Sequence, residues 1–182
     1  MSIGLSESTA QTKRTGWLNG RVVLVAALLL AVWAGYAMFL RKHPLEGKTA
    51  PPFTAPMLDG AVFDMAEHLG KNPILLDFWA AWCPPCREAL PKIANAAARY
   101  ASQGLVVCAV NIGEEPATIN GFLNARSLEL PVALDEDSRV ASMYNVRFLP
   151  TLVFIDRDGT IKHVRTGAVS ESELERNIRK IL

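Results

Sequence analysis

The chain has 182 residues, half of them hydrophobic, with 19 Lys and Arg against 18 Asp and Glu and a formal net charge of +1. That length allows one ordinary domain plus an additional segment. From residue 49 onward 13 basic residues stand against 16 acidic ones, a charge of −3, with no Lys/Arg cluster and no Gly-rich phosphate loop, which excludes a strongly basic nucleic-acid-binding face.

Residues 1–21 are polar and too few to fold alone. Residues 22–40, VVLVAALLLAVWAGYAMFL, then run 19 positions without a charge, and about 20 helical residues cross a hydrocarbon core. A transmembrane anchor is expected. The competing reading is a cleaved secretory signal with Ala34 and Ala37 at the cut, but the apolar stretch of such a signal is only about 7 to 15 residues. Trp33 and Tyr36 suit an interfacial belt. Lys13, Arg14 and Arg21 before the span are balanced by Arg41, Lys42 and Lys48 after it, so charge does not orient it. Residues 41–51 have the Pro, Gly and charge content of a spacer, and 52–182 form the folded domain. Its roughly 130 residues suffice for one core that buries about two-thirds of the unfolded surface.

The domain opens on FTAPM and AVFDM flanking LDG, whose Asp59-Gly60 pair predicts a hairpin. PILLDFW is a short apolar run, as expected of a strand covered on both faces. Leu90, Ile93, Ala94, Ala97 and Ala101 then recur at helical spacing, with Pro91 as an expected kink. LVVCAVNI predicts the next buried strand, and EEPATINGFLNARS a helix opened by acids and Pro116, with Ile119, Phe122 and Leu123 on one side. A short helix is expected around SRVASMYNV, and DED at 135–137 is read as a solvated turn. TLVFIDRDGTIKHVRTG reads as two strands joined at Asp158-Gly159, and Ser170 with Glu173 as a capping box for a last helix. This order of elements implies a mixed α/β sheet, parallel where helices connect the strands and antiparallel at the final hairpin, with helices on both faces.

WCPPC, residues 82–86, lies between the first buried strand and the helix after it. Cysteines three apart at a helix start can meet the Cα separation of roughly 4.4 to 6.8 Å that a disulfide requires. The positive helix end and its free N–H groups favour a thiolate on the first of them. Cys83 is therefore the candidate nucleophile and Cys86 the resolving thiol. Structural zinc needs four ligands, and only Cys108 and the scattered His43, His68 and His163 remain. A structural disulfide over so small a loop adds little chain entropy. Cys108, amid LVVCAV, reads as an inert core residue. Asp77 interrupts the apolar run six residues before Cys83. Buried, it would have a raised pKa and serve Cys86 as general acid/base; at a strand end it would simply turn to solvent.

DFWAAWCPPC, residues 77–86, resembles the active-site stretch of thioredoxins, with Asp, Trp and the Cys pair at the same spacing. The resemblance covers residues 50–182. The phrases VNIGEEPATINGFL, LPVALDEDSRVASMYNVRFLPTLVFIDRDGTI and TGAVSESEL, with the anchor and the leading hairpin, look most like the TlpA/ResA group of membrane-anchored envelope thiol:disulfide oxidoreductases. It implies a thioredoxin-like fold, a mixed central sheet flanked by helices with an extra N-terminal hairpin, behind a transmembrane helix. It further implies reducing chemistry outside the bacterial cytoplasmic membrane, on apocytochrome c or a copper-site protein. Pro150, in FLPT, is implied to be cis beside the cysteines, turning the backbone of Leu149 toward an incoming substrate chain. Trp82 matches the group and is a candidate substrate contact, the plainer reading being that it packs over the motif. Two positions depart: Ala89 stands where ResA-like members usually carry Glu, a role not transferable to Glu88, and Asp77 is closer to thioredoxin than to ResA.

Pro84 and Pro85 lack N–H groups, so two potential donors to a Cys83 thiolate are missing. A mainly reducing protein is expected, with electrons arriving from another membrane thiol carrier, since no nicotinamide or flavin fingerprint and hence no cofactor is read. The rival readings are a Cu(I) carrier using the same two sulfurs and a peptide-binding chaperone using the Pro150 groove.

Overall fold

The computed structural model describes residues 15–39 and 43–182, and the chain divides into two compact units, the second starting at His43. The first holds helix α1 (Thr15–Phe39). Its described side chains from Val22 to Trp33 are exposed and uncharged. Among the described residues no helix is long and apolar enough to cross a membrane. The expected span over 22–40 runs on into side chains outside the described residues, as do residues 1–14 of the polar leader and residues 40–42 at the start of the spacer.

The second unit opens with the hairpin. Strands β1 (Thr54–Pro56) and β2 (Val62–Asp64) pair antiparallel with Ala55 opposite Phe63. The turn forms where Gly60 takes φ +88°, a conformation that costs only glycine nothing, and Asp59 Oδ1 accepts from Ala61 N at 3.0 Å. Five further strands make one mixed sheet: β3 (Ile74–Trp79), β4 (Val106–Ile112), β5 (Val132–Asp135), β6 (Thr151–Ile155) and β7 (Ile161–Thr166), in the order β5-β4-β3-β6-β7. β3, β4 and β5 run parallel, whereas β6 and β7 are antiparallel to their neighbours. All six residues of central β3 are buried, which is why its sequence is an almost unbroken apolar run.

Helices α2 (Pro84–Tyr100) and α3 (Pro116–Asn124) connect the parallel strands, α4 (Arg139–Met143) follows β5, and α5 (Glu171–Ile178) closes the chain. Strand alternation sorts the core into layers. On one face Leu75, Leu152 and Phe154 pack with Ala89 and Ile93 of α2 and with Leu174 and Ile178 of α5. On the other, Leu76, Phe78, Cys108 and Val153 pack with Phe53, Phe63, Val140 and Tyr144. Helices thus cover both faces, the second with help from the hairpin. Ser170 caps α5 by accepting from Glu173 N at 3.2 Å, but the Glu173 carboxylate bonds Arg165 instead of closing the box.

Two expectations need correction. β5 was not foreseen as a strand: it is four residues long behind Pro131, too short to show a period, and takes its shape from pairing with β4. The DED turn is solvated only at Glu136 and Asp137. Asp135 is 2% exposed, and its carboxylate accepts from Val140 N and Ala141 N at 2.9 and 2.8 Å, satisfying free N–H groups at the start of α4.

Both edges of the sheet are partly covered. Leu58 N donates to Val132 O of β5 at 2.9 Å. On the far edge Gly47 N donates to Ile161 O at 2.7 Å and Ile161 N to Lys48 O at 2.9 Å. Glu46 Oε1 accepts there from Val164 N at 2.8 Å and pairs with His163 Nδ1 at 2.9 Å.

Candidate active site

β3 delivers the chain to the site and α2 begins there. Cys83 is the N-cap of α2, extended at φ −85° and ψ 109°, followed by Pro84 and Pro85 in the first turn. Proline suits that place because its φ is already helical and its missing N–H would have had no partner within the helix. Cys86 N, the first backbone donor after the prolines, reaches Cys83 Sγ at 3.3 Å. Cys83 and Cys86 are joined as a disulfide with their Cα atoms 5.3 Å apart, inside the range that needs no backbone distortion. Cys83 is 3% exposed and Cys86 fully buried. The reactive face of the pair is therefore the Cys83 side.

Leu149 packs against the apolar cluster that holds Cys83, Cys86, Trp79 and Leu90. The Leu149–Pro150 peptide is cis, as the resemblance implies. Trp82 is 68% exposed, and so is Phe148 at 70%, a residue the sequence reading passed over. Large apolar side chains left in water beside a reactive centre are candidate contact points for a polypeptide.

Asp77 is fully buried, which disposes of the solvent-facing alternative. It pairs in the sheet with Ala109 and Leu152, and alternation puts it on the same face as Leu75 and Trp79, the face that α2 covers. Loss of hydration pushes its carboxyl up to about 7. Among the described residues the buried polar side-chain atoms without a protein partner are both Asp77 oxygens, Trp79 Nε1 and Asn111 Oδ1. All lie on the adjacent strands β3 and β4, and the cysteines follow the C-terminal end of β3.

Cys108 faces the opposite layer, fully buried, and burial pushes its thiol up to about 12. It is a core residue, as expected. Among the described residues no three His, Cys, Asp or Glu side chains gather into a metal-binding group. Ala89, where the resemblance expects Glu, is 1% exposed and packs with Leu75 and Ile93.

Besides Phe148, Asn111 and Glu114 carry no expectation from the sequence. Asn111, fully buried at the end of β4, donates from Nδ2 to Glu114 Oε2 at 2.7 Å. The same oxygen accepts from Ala81 N at 2.7 Å, in the loop that leads into Cys83. Asn111 could have been found by the signal that singled out Asp77, a polar residue inside an apolar strand.

A family model described as Redoxin matches residues 45–182, more than half of the chain. The chain belongs to the Redoxin family. Among curated redoxin relatives it is 33% identical over 168 residues to the thiol-disulfide oxidoreductase ResA of Geobacillus kaustophilus, covering 88% of this chain and 96% of that one. It is 35% identical over 160 residues to ResA of Bacillus subtilis, covering 87% and 86%. Among solved structures, the crystal structure of a putative thiol:disulfide interchange protein DsbE from Chlorobium tepidum superposes with a TM-score of 0.69 at 32% identity, covering 75% of this chain and 96% of that one. This redoxin domain with its close Cys pair is accordingly a thiol-disulfide oxidoreductase of thioredoxin-like fold.

Proposed function

We propose that the protein is a reductase of protein disulfides, anchored by residues 22–40 with its redoxin domain outside the bacterial cytoplasmic membrane. The observation that carries the direction is the environment of Cys83 Sγ: Pro84 and Pro85 withhold two backbone donors, leaving Cys86 N as the one that reaches it. A thiolate with few donors is poorly stabilised, and a weakly stabilised reduced form makes a stronger reductant. The uncharged 19-residue stretch supports the anchor.

In the proposed cycle the Cys83 thiolate attacks one sulfur of a substrate disulfide. The substrate S–S bond breaks, its other sulfur leaves as a thiolate, and Cys83 holds the first in a mixed disulfide. Asp77 takes the proton from Cys86, whose thiolate then attacks Cys83 Sγ. The Cys83–Cys86 bond forms as the second substrate thiol departs, so two electrons have passed to the substrate. A membrane thiol carrier restores the dithiol. Apocytochrome c and copper-site proteins are the proposed substrates, Trp82 and the Leu149–Pro150 backbone their contacts.

Equilibration of the pair with glutathione tests the direction. The expected potential lies between about −180 and −270 mV, from the isomerase range to that of thioredoxin, with insulin reduction lost in Cys83→Ser. A potential near the strong-oxidant value of about −120 mV would overturn the assignment.

A further inference from the structure

Glu114 lies outside the cysteine motif, yet it makes a contact that crosses from one loop to another. Its Oε2 accepts from the backbone N–H of Ala81 and from Nδ2 of Asn111, both at 2.7 Å. Ala81 belongs to the three-residue link between the end of β3 and the N-cap Cys83; Asn111 and Glu114 sit at the end of β4. These are neighbouring parallel strands, and the crevice outside their C-terminal ends is where open α/β sheets place their chemistry. The link has one internal tie of its own, from Cys83 N to Ala80 O at 3.2 Å. A hydrogen bond to a carboxylate is roughly twice as strong as one between neutral groups. Asn111 is fully buried, so its amide is a fixed post that holds the half-buried carboxylate in place.

We propose that Glu114, held by Asn111, is a positioning residue: it clamps the Ala80–Trp82 link to β4 and so sets where Cys83 Sγ and the exposed Trp82 meet a substrate disulfide. The catalytic consequence rests on the exchange reading given above; the clamp itself does not. In-line attack on a disulfide is sensitive to placement, and a displacement of about 1 Å at a reacting centre can cost on the order of a hundredfold in rate.

The test uses the full chain and the variants Glu114→Ala, Glu114→Gln and Asn111→Ala. Two quantities are read: amide hydrogen exchange at Ala81, and kcat and KM for insulin reduction. In Glu114→Ala the Ala81 amide should exchange at least about tenfold faster, and kcat should fall about tenfold with KM within about twofold, as a loosened reacting atom requires. Glu114→Gln keeps an oxygen that accepts both N–H groups and should restore most of both. Asn111→Ala should fall between them, and decides the matter should Glu114→Ala not fold. The proposal is overturned by wild-type Ala81 exchange in Glu114→Ala or Asn111→Ala, or by Glu114→Gln losing as much kcat as Glu114→Ala. A wild-type chain inert toward insulin would sink the reductase reading while Ala81 exchange still judged the clamp.

Discussion

Asp77 is a carboxyl group held where water does not reach, with its pKa pushed from 3.8 up to about 7 by desolvation. The unfolded chain loses this proton near pH 4 and the folded one only near 7, so across that window the native state binds the extra proton and stability falls as pH rises. Above about pH 7 the deficit is constant. Asp77→Asn should therefore be more stable than the wild type at pH 8, by up to about 4 kcal/mol, and equal to it below about pH 4, as urea titrations at the two pH values would show. A variant no more stable at pH 8 would mean that the carboxyl is not desolvated. In the proposed cycle the same variant slows resolution by Cys86 and prolongs the mixed disulfide. At this scale the sequence was legible where a polar residue broke an apolar run, as at Asp77. It was illegible at Asp135, whose acidic neighbours masked a buried N–H acceptor, and at Glu114, whose partners lie in another loop.

The decisive element is α2, because its first turn sets the chemistry of Cys83. An N-cap side chain ordinarily accepts from the second or third helical residue, and here the second is Pro85, so only Cys86 N serves. Pro85→Ala supplies the missing N–H. One added bond to the charged thiolate, about 1.5 to 3 kcal/mol, corresponds to roughly 30 to 65 mV, so the potential should rise by about that amount against glutathione. A potential that stays put or falls would mean that backbone donors do not tune this pair. The start of α2 could be read from sequence because prolines and the cysteine spacing are local signals. β5 could not, because four residues become a strand only through the hydrogen bonds β4 offers them.

For the whole molecule the proposed anchor predicts that the cysteines lie outside the cytoplasm. Cys86→Ser should accumulate mixed disulfides on Cys83 in cells, and a membrane-impermeant thiol reagent applied to intact cells should label Cys83 once these are released. Capture of cytoplasmic proteins alone, or labelling only after lysis, would overturn the extracytoplasmic placement. The mixed sheet, parallel where a helix connects β3 to β4 and antiparallel at the last hairpin, followed from elements visible in the chain, the place of β5 did not, and the resemblance supplied the fold's identity. The edge pairing of residues 46–50 with β7 was not visible, since a spacer composition says nothing of a tertiary partner.

That edge pairing changes how another polypeptide meets the domain. With Leu58 bonded to Val132 of β5 and residues 47–50 bonded along 159–161 at the start of β7, another polypeptide finds each flank partly taken as a place to lie as an extra strand. Of the three large apolar side chains left bare in this unit among the described residues, two, Trp82 and Phe148, border the cysteine motif and the cis-proline turn. Most of the large apolar surface that a client chain could meet in this unit among the described residues therefore lies beside the sulfurs.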